Sequence, residues 1–410
     1  MKEIFFAERP EKRKRAPLKA RLPLFVGAPP DAEELLTTLK IAVVGVGSVG
    51  RSLALHLARL HPERLLCVDN GKLKDTSLIT HPCLPEDISE PKASNLGKYV
   101  KDLSPGTRVF AHEGPVQTLD PRALLDCDVV FLSTDNLLAE VEMAQRCLWL
   151  GVPLIQASVE GSLLVAQVRF FLNREARDPC LVCGFSNAEW QLLNQETKFS
   201  CEGLDSRLAT ARVTNLSTRS VSALCSMAGE LAIFQLVRYR LGLGKPVGDS
   251  VLEYCAYTHR GVVSSLERNL ECPCDHRRFR SITTARPLLE CTLRELVEEA
   301  GMGEKHDLEG ISFRVGNLLF MELGSCACRK SKPLKRFYAP GESLGRCGDC
   351  GSDIRSQPFF THHPVPASML VTELDRPLRE ITAAPVGYVW VRGPELGAFV
   401  MNGYQEEGPS

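Results

Sequence analysis

The sequence predicts a doubly wound α/β fold with a mostly parallel, Rossmann-like sheet, zinc-binding cysteine pairs and a smaller C-terminal domain that contains a zinc ribbon. Three observations carry this expectation. Strand and helix signals alternate from Lys40 onward, a GxGxxG turn joins the first strand of that series to its first helix, and eight of the 16 cysteines fall in four close pairs.

Each element has a local reason. Lys40–Val44 and Arg64–Val68 are short, continuous apolar runs, as strands buried on both faces require. Thr107–Ala111, Asp128–Ser133, Pro153–Ala157 and Val165–Phe171 read the same way. Between them, Ser48–Leu60, Lys92–Leu103 and Leu137–Leu150 carry apolar residues at helical spacing. Asp31–Leu39 reads as a short helix after a Pro- and Lys/Arg-rich arm. Val213–Leu241 reads as a long helix with a stripe through Val221, Leu224, Cys225, Ala228 and Leu231, ended by Gly242, Gly244 and Pro246. Asn187–Arg207 is polar and aperiodic, as a long loop would be, and Ile311–Leu323 is strand-like. The chain therefore divides into an arm (1–38), a nucleotide-binding domain (39–245) with the loop at 187–207, a zinc-binding extension (246–285) and a C-terminal domain (286–410). There is no internal repeat.

Composition narrows the function. Hydrophobic residues make up 44% and charged residues 24%, which excludes a disordered or fibrous chain. Lys and Arg number 49 against 50 Asp and Glu, so no excess of positive charge favours nucleic acid or an anionic membrane as partner. No run approaches the length of a membrane span, and the basic Glu11–Arg15 stretch is not followed by an apolar segment like that of a signal peptide. A cytoplasmic protein is expected.

Four signals bear chemistry. In Gly45-Val46-Gly47-Ser48-Val49-Gly50 the glycines let backbone N–H groups approach phosphates at a helix N-terminus, and Asp69 closes the next strand, where a carboxylate can take ribose hydroxyls. The alternative is a strand–helix turn that merely packs well. Asp135, after an apolar strand of the same sheet, suits a Mg²⁺ bridging triphosphate oxygens, or else caps the following helix. Lys92 opens a helix, where its charge opposes the macrodipole unless a phosphate lies near; a solvated lysine is the plainer account. The cysteine pairs Cys180/Cys183, Cys272/Cys274, Cys326/Cys328 and Cys347/Cys350 suggest two tetrahedral Cys₄ zinc sites, because disulfides at such spacing are strained. The short gap between Cys328 and Cys347 joins the last two pairs in a local ribbon. His276 could replace a sulfur, although an exposed histidine beside Arg277 and Arg278 is the simpler expectation. The remaining cysteines, such as Cys67 and Cys225, read as core.

The ordered set GxGxxG, Asp69, Pro91-Lys92-Ala93, Thr134-Asp135-Asn136, Gly151–Ile155, Cys180-x-x-Cys183 and a later cysteine pair resembles the ThiF/MoeB/HesA family, which includes the ubiquitin-activating enzymes, over roughly residues 36–280. The resemblance implies an adenylyltransferase that uses ATP and Mg²⁺ to activate the C-terminal carboxylate of a small ubiquitin-like or sulfur-carrier protein. It implies phosphate contacts from Gly45, Gly47, Gly50 and Lys92, ribose binding by Asp69, Mg²⁺ binding by Asp135 and Zn²⁺ binding by Cys180, Cys183, Cys272 and Cys274. Cys201 lies where some members carry an acyl-accepting nucleophile. A homodimer is implied, and a downstream conjugating protein is a further candidate partner. A dehydrogenase would share the fold but gives no reason for Lys92, Asp135 and the cysteine pairs together.

The sequence also departs from that family's pattern. Gly71 stands where a second Asp is usual, Ser77-Leu78-Ile79-Thr80 replaces Asn-Leu-x-Arg ahead of His81, and Glu140 stands where an arginine is common. Arg51, Lys74, or Arg13 and Arg15 of a partner subunit's arm are the expected substitutes. A non-catalytic scaffold for a ubiquitin-like partner is the competing expectation.

Overall fold

In this computed structural model the described residues are 2–3, 27–191, 220–244, 248–302, 308–357, 361–362 and 364–402. They form two compact units, one reaching Trp190 and resuming from 220 to His276, the other beginning at Arg277.

The first unit is built on one nine-stranded sheet. Its strands are β1 (Lys2–Glu3), β2 (Lys40–Val44), β3 (Arg64–Val68), β4 (Arg108–His112), β5 (Val129–Leu132), β6 (Leu154–Glu160), β7 (Val165–Phe171), β8 (Ser250–Cys255) and β9 (Arg260–Ser265), ordered β1-β4-β3-β2-β5-β6-β7-β8-β9. From β4 across to β6 the pairing is parallel, and β7 to β9 add antiparallel strands at one side. Every residue of β5 is buried, which is why that strand reads as a continuous apolar run. Helices α1 (Ala32–Thr37), α2 (Ser48–Leu57), α3 (Ser77–Thr80), α4 (Lys92–Leu103), α5 (Arg122–Leu125), α6 (Leu137–Leu150) and α7 (Ser222–Arg240) complete the unit. β2 is flanked by β3 on one side and β5 on the other, so the chain reverses its direction of travel across the sheet there. Such a switch point opens a crevice at the carboxyl ends of the strands.

Most expected elements appear with their bounds, and the differences have local causes. The loop expected from Asn187 begins instead as helix at 187–191, because Ser186 and Glu189 form a reciprocal N-terminal cap. In α7 the stripe reaches Leu224, Cys225 and Ala228, whereas Val221 is exposed as the residue before the helix. That stripe packs into the unit's own core with Leu53, Ile155 and Val168. Ile311–Leu323 is two strands broken at Gly316, whose φ of 53° lies in the left-handed region.

The second unit contains β10 (Arg280–Thr284), α8 (Leu293–Glu299), β11 (Ser312–Val315), β12 (Leu319–Ser325), β13 (Ser331–Tyr338), β14 (Arg355–Ser356), β15 (Thr361–His362), β16 (Val365–Pro366), α9 (Leu378–Ile381), β17 (Tyr388–Arg392) and β18 (Gly397–Asn402). One sheet runs β10-β18-β17-β11-β16; β12 pairs with β13, β14 and β15 in another. Their shared core includes Leu288, Phe313, Phe320, Phe337 and Val389.

Candidate functional sites: a glycine-loop crevice and two cysteine clusters

The glycine loop leaves β2 and enters α2 between the ends of β3 and β5. Gly45 has a φ of 82°, and a Cβ placed on it would stand 2.7 Å from the carbonyl of Ser133. A Cβ on Gly50 would overlap the Gly45 oxygen and the Ser133 hydroxyl. Ser133 Oγ donates to the Gly45 carbonyl (2.6 Å) and Gly45 N–H to the Val68 carbonyl (2.9 Å), which draws loop, helix and both strands together. Gly45 and Gly50 are thus required by close backbone approach. Gly47 is different: the nearest atom to a Cβ there is His81 Nε2 at 4.0 Å, so its surroundings are open. Gly47 is also the residue ahead of α2, and no side chain caps the helix's first N–H groups. Free donors, the positive end of a helix dipole and open space beside a glycine fit an anionic phosphate.

Asp69 shapes this crevice from β3. Its carboxylate accepts the Val46 N–H at 2.9 Å and the Gly71 N–H at 2.7 Å, tying the glycine loop to the turn after β3. Lys92 N–H donates to the Gly71 carbonyl at 2.9 Å, and the Lys92 side-chain carbons run alongside Gly71. This brings the first residue of α4 beside Asp69. On the other flank, Asp135 is exposed just beyond β5. The cap of α6 is Asn136, whose Oδ1 accepts the Ala139 N–H at 3.1 Å, so Asp135 is not needed for that task. Gly45, Gly47, Gly50, Asp69 and Asp135 thus follow the carboxyl ends of β2, β3 and β5, with Lys92 at the start of α4 beside Gly71.

Arg51 is fully buried. Its Nε donates to the Pro82 carbonyl (2.8 Å), one terminal nitrogen donates to Asn95 Oδ1 (2.6 Å), and its guanidinium lies 4.8 Å from the Tyr99 ring centroid. Burial lowers its pKa from the usual arginine value. Asp87 receives Asn95 Nδ2 and Tyr99 O–H, a second layer that holds Asn95 and Tyr99 against Arg51. Glu140 is buried too, accepting from Gln156 Nε2 at 3.0 Å, and desolvation raises its pKa to about 7. Cys201, Arg13 and Arg15 lie outside the described residues.

Two clusters of metal-binding side chains form. In the first unit Cys180, Cys183, Cys272 and His276 bring their donor atoms within 4.8 Å of one another. The sulfur of Cys180 lies 3.7 Å from those of Cys183 and Cys272, close to the roughly 3.8 Å edge of a tetrahedron with zinc–sulfur bonds of about 2.3 Å. His276 is buried, correcting the expectation of an exposed side chain. Its Nδ1 faces the Asp178 carbonyl at 3.0 Å, which leaves Nε2, 3.5 Å from the Cys183 sulfur, to act as ligand. Gln145 on α6 fixes the loop by bonding both the N–H and the carbonyl of Asp275. Cys274 is buried and hydrogen-bonds to Cys180 and Cys272, outside the four-atom set. The loop that Gln145 holds at Asp275 thus carries two candidates for the fourth donor, the expected Cys274 and His276. A cleft of about 180 Å³, lined by Gln167, Arg169, Cys183 and Glu267 among others, lies against this cluster and apart from the glycine loop.

In the second unit Cys326, Cys328, Cys347 and Cys350 converge, joining the turn after β12 to the knuckle before β14. Lys332 bonds Asp349 at 2.6 Å beside them. Donors of this softness and number fit Zn²⁺ at both places. Of the other described cysteines, Cys67, Cys127, Cys147, Cys225 and Cys291 are buried, and Cys83 and Cys255 are half-buried.

Among known proteins, the curated relatives include the sulfur carrier protein ThiS adenylyltransferase of Escherichia coli, 29% identical over 32% of this chain and 53% of that protein. The sulfur carrier protein adenylyltransferase of Thermus thermophilus is 25% identical over 60% of this chain and 84% of its own length. The SAMP-activating enzyme E1 of Haloferax volcanii is 25% identical over 32% of this chain and 49% of its own length. The chain spans about half the length or less of the first three curated relatives it matches. Escherichia coli MccB, solved with ATP, superposes with a TM-score of 0.46 at 13% identity, covering 60% of this chain and 69% of MccB. The sequence model of the ThiF family matches residues 20–274, the segment holding the glycine loop, Asp69, Lys92, Asp135 and the first metal cluster, and the chain belongs to the ThiF family.

Proposed function

We propose that this chain binds ATP in the glycine-loop crevice and adenylates the C-terminal carboxylate of a small ubiquitin-like or sulfur-carrier protein. The observation that carries this reading is the grouping of an uncapped α2 N-terminus, Lys92 and the exposed Asp135 around one strand-end crevice. A carboxylate oxygen of the carrier attacks the α-phosphorus, the bond to the β-phosphate oxygen breaks, and pyrophosphate leaves. Mg²⁺, when bound, neutralises charge on the phosphates. Asp135 would hold it, while the first N–H groups of α2 and Lys92 hold the phosphates and Asp69 reaches the ribose. Among the described residues every cysteine is free and no helix could span a membrane, which supports action in a reducing compartment such as the cytoplasm.

Two steps belong to the same proposal. Cys201 thiolate would take the acyl group from the adenylate, releasing AMP, and two copies of the chain would pair. A cognate carrier incubated with ATP would then give a thiol-sensitive adduct that Cys201→Ala loses, and light scattering would give a particle of twice the chain mass. Glu140 favours a second reading, a non-catalytic scaffold, because a buried carboxyl stands where the family resemblance leads us to expect an arginine. ATP–pyrophosphate exchange in the presence of a carrier ending in Gly-Gly separates the two. Adenylation predicts exchange in wild type and at least a hundredfold loss in Asp135→Ala with an unchanged melting temperature. ATP binding without exchange would leave the scaffold.

A further inference from the structure

Two basic nitrogens beside the glycine loop have no partner. His81 Nε2 and the second terminal nitrogen of Arg51 are buried and form no hydrogen bond. Leaving a buried donor or acceptor unpaired costs about 1–3 kcal/mol, so such atoms call for a partner. The other ring nitrogen of His81 is engaged: Nδ1 meets the Thr80 hydroxyl at 2.9 Å and the Ser48 hydroxyl at 3.4 Å. The ring is thereby aimed with Nε2 toward Gly47, where it is the nearest atom to a Cβ position in otherwise open surroundings. Its backbone is held as well, by an N–H bond to the Ser77 carbonyl (2.7 Å) and by Arg51 Nε on the carbonyl of the next residue, Pro82. The imidazole therefore stands beside the N-terminus of an uncapped helix.

We propose that His81 binds a phosphate oxygen of the nucleotide through Nε2, taking up one proton from solvent as it does so, with Arg51 as the positioning residue behind it. The inference rests on the nucleotide reading of this crevice and names the group that supplies the positive charge absent at Thr80 and Glu140. In the free protein burial, and after it the charges of Lys92 from α4 and Arg51 from α2, push the pKa of His81 down to about 4. A polyanion placed among the three reverses that balance, because it pairs with Lys92, shields Arg51 and accepts a charge-assisted hydrogen bond from the imidazolium. Binding and protonation are then coupled, and affinity falls as pH rises from the free-state pKa toward that of the complex.

Titration calorimetry of the full chain with ATP tests this, at Mg²⁺ concentrations that keep the γ-phosphate ionised throughout. Repeating it in buffers of different ionisation enthalpy counts protons. Wild type is expected to take up close to one proton per nucleotide near pH 5.5. Its affinity is expected to weaken at least about fivefold between pH 5 and pH 7, against a ceiling of about tenfold per pH unit. His81→Gln is expected to bind with little proton uptake and a flat profile. ATP binding to wild type with no proton uptake and no pH dependence overturns the assignment, whatever the folding of the variant, and leaves the nucleotide reading intact. Equal uptake in wild type and a folded His81→Gln chain likewise overturns it. Failure of wild type to bind ATP at any pH removes both.

Discussion

His276 Nε2 stands 3.5 Å from the sulfur of Cys183 while Nδ1 of the same ring faces the backbone carbonyl of Asp178. A ring held at one nitrogen by a carbonyl presents the other as a neutral ligand, so we expect His276, rather than Cys274 that also lies against Cys180 and Cys272, to be the fourth donor. His276→Ala is expected to lower zinc from two per chain to about one after dialysis against a chelator. Cys274→Ser should keep both. Elemental analysis of the two variants decides, and the opposite pattern would give the position to Cys274.

The second cluster belongs to a different compact unit, so its loss should stay local. Structural cysteine–zinc sites contribute folding free energy directly. Cys347→Ser is expected to release one zinc and expose the segment from β12 to β14 to limited proteolysis. ATP binding by the first unit, read by calorimetry, should remain within about twofold of wild type.

Gly47 and Gly50 of the loop should respond oppositely. Gly50→Ala places a methyl group against the Gly45 oxygen and the Ser133 hydroxyl, an overlap with backbone that cannot rotate away. A loss of about 1–3 kcal/mol is expected, or several degrees in melting temperature. Gly47→Ala meets open space, so thermal stability should hold within about 0.5 kcal/mol while nucleotide affinity drops. Differential scanning calorimetry and nucleotide titration on both variants separate structure from binding.

Glu140 makes stability depend on pH. Its pKa rises from the ordinary carboxyl value of 4.5 to about 7 because burial disfavours the charged form. A raised folded-state pKa means that the native state holds its proton more tightly than the unfolded chain, so the associated stability is complete below pH 4.5 and is lost as pH rises through 7. The upper bound is about 3 kcal/mol. Glu140→Gln can still accept the Gln156 hydrogen bond without charging. It is expected to melt like wild type at pH 5 and higher than wild type at pH 8. Equal melting temperatures at pH 8 would show that Glu140 ionises without penalty.

The elements that β2, β3, β7, α4 and α6 represent were legible residue by residue, because a strand's apolar run and a helix's spacing are set by neighbours within a few positions. The GxGxxG turn and the acid after the next strand were legible for the same reason: tight turns, close backbone approach and strand ends are local demands. Cysteine spacing likewise announced two metal clusters. Tertiary structure alone decided which side chains meet. Gln145 holds the loop that carries Cys274 and His276, the packing of α2 against α4 buries Arg51 against Tyr99, and the core of the first unit absorbs the apolar stripe of α7. Each depends on partners dozens to more than a hundred residues apart, a distance over which no periodicity carries information. Only the folded chain brings those partners into contact and fixes which polar atoms are satisfied and which are left to a ligand.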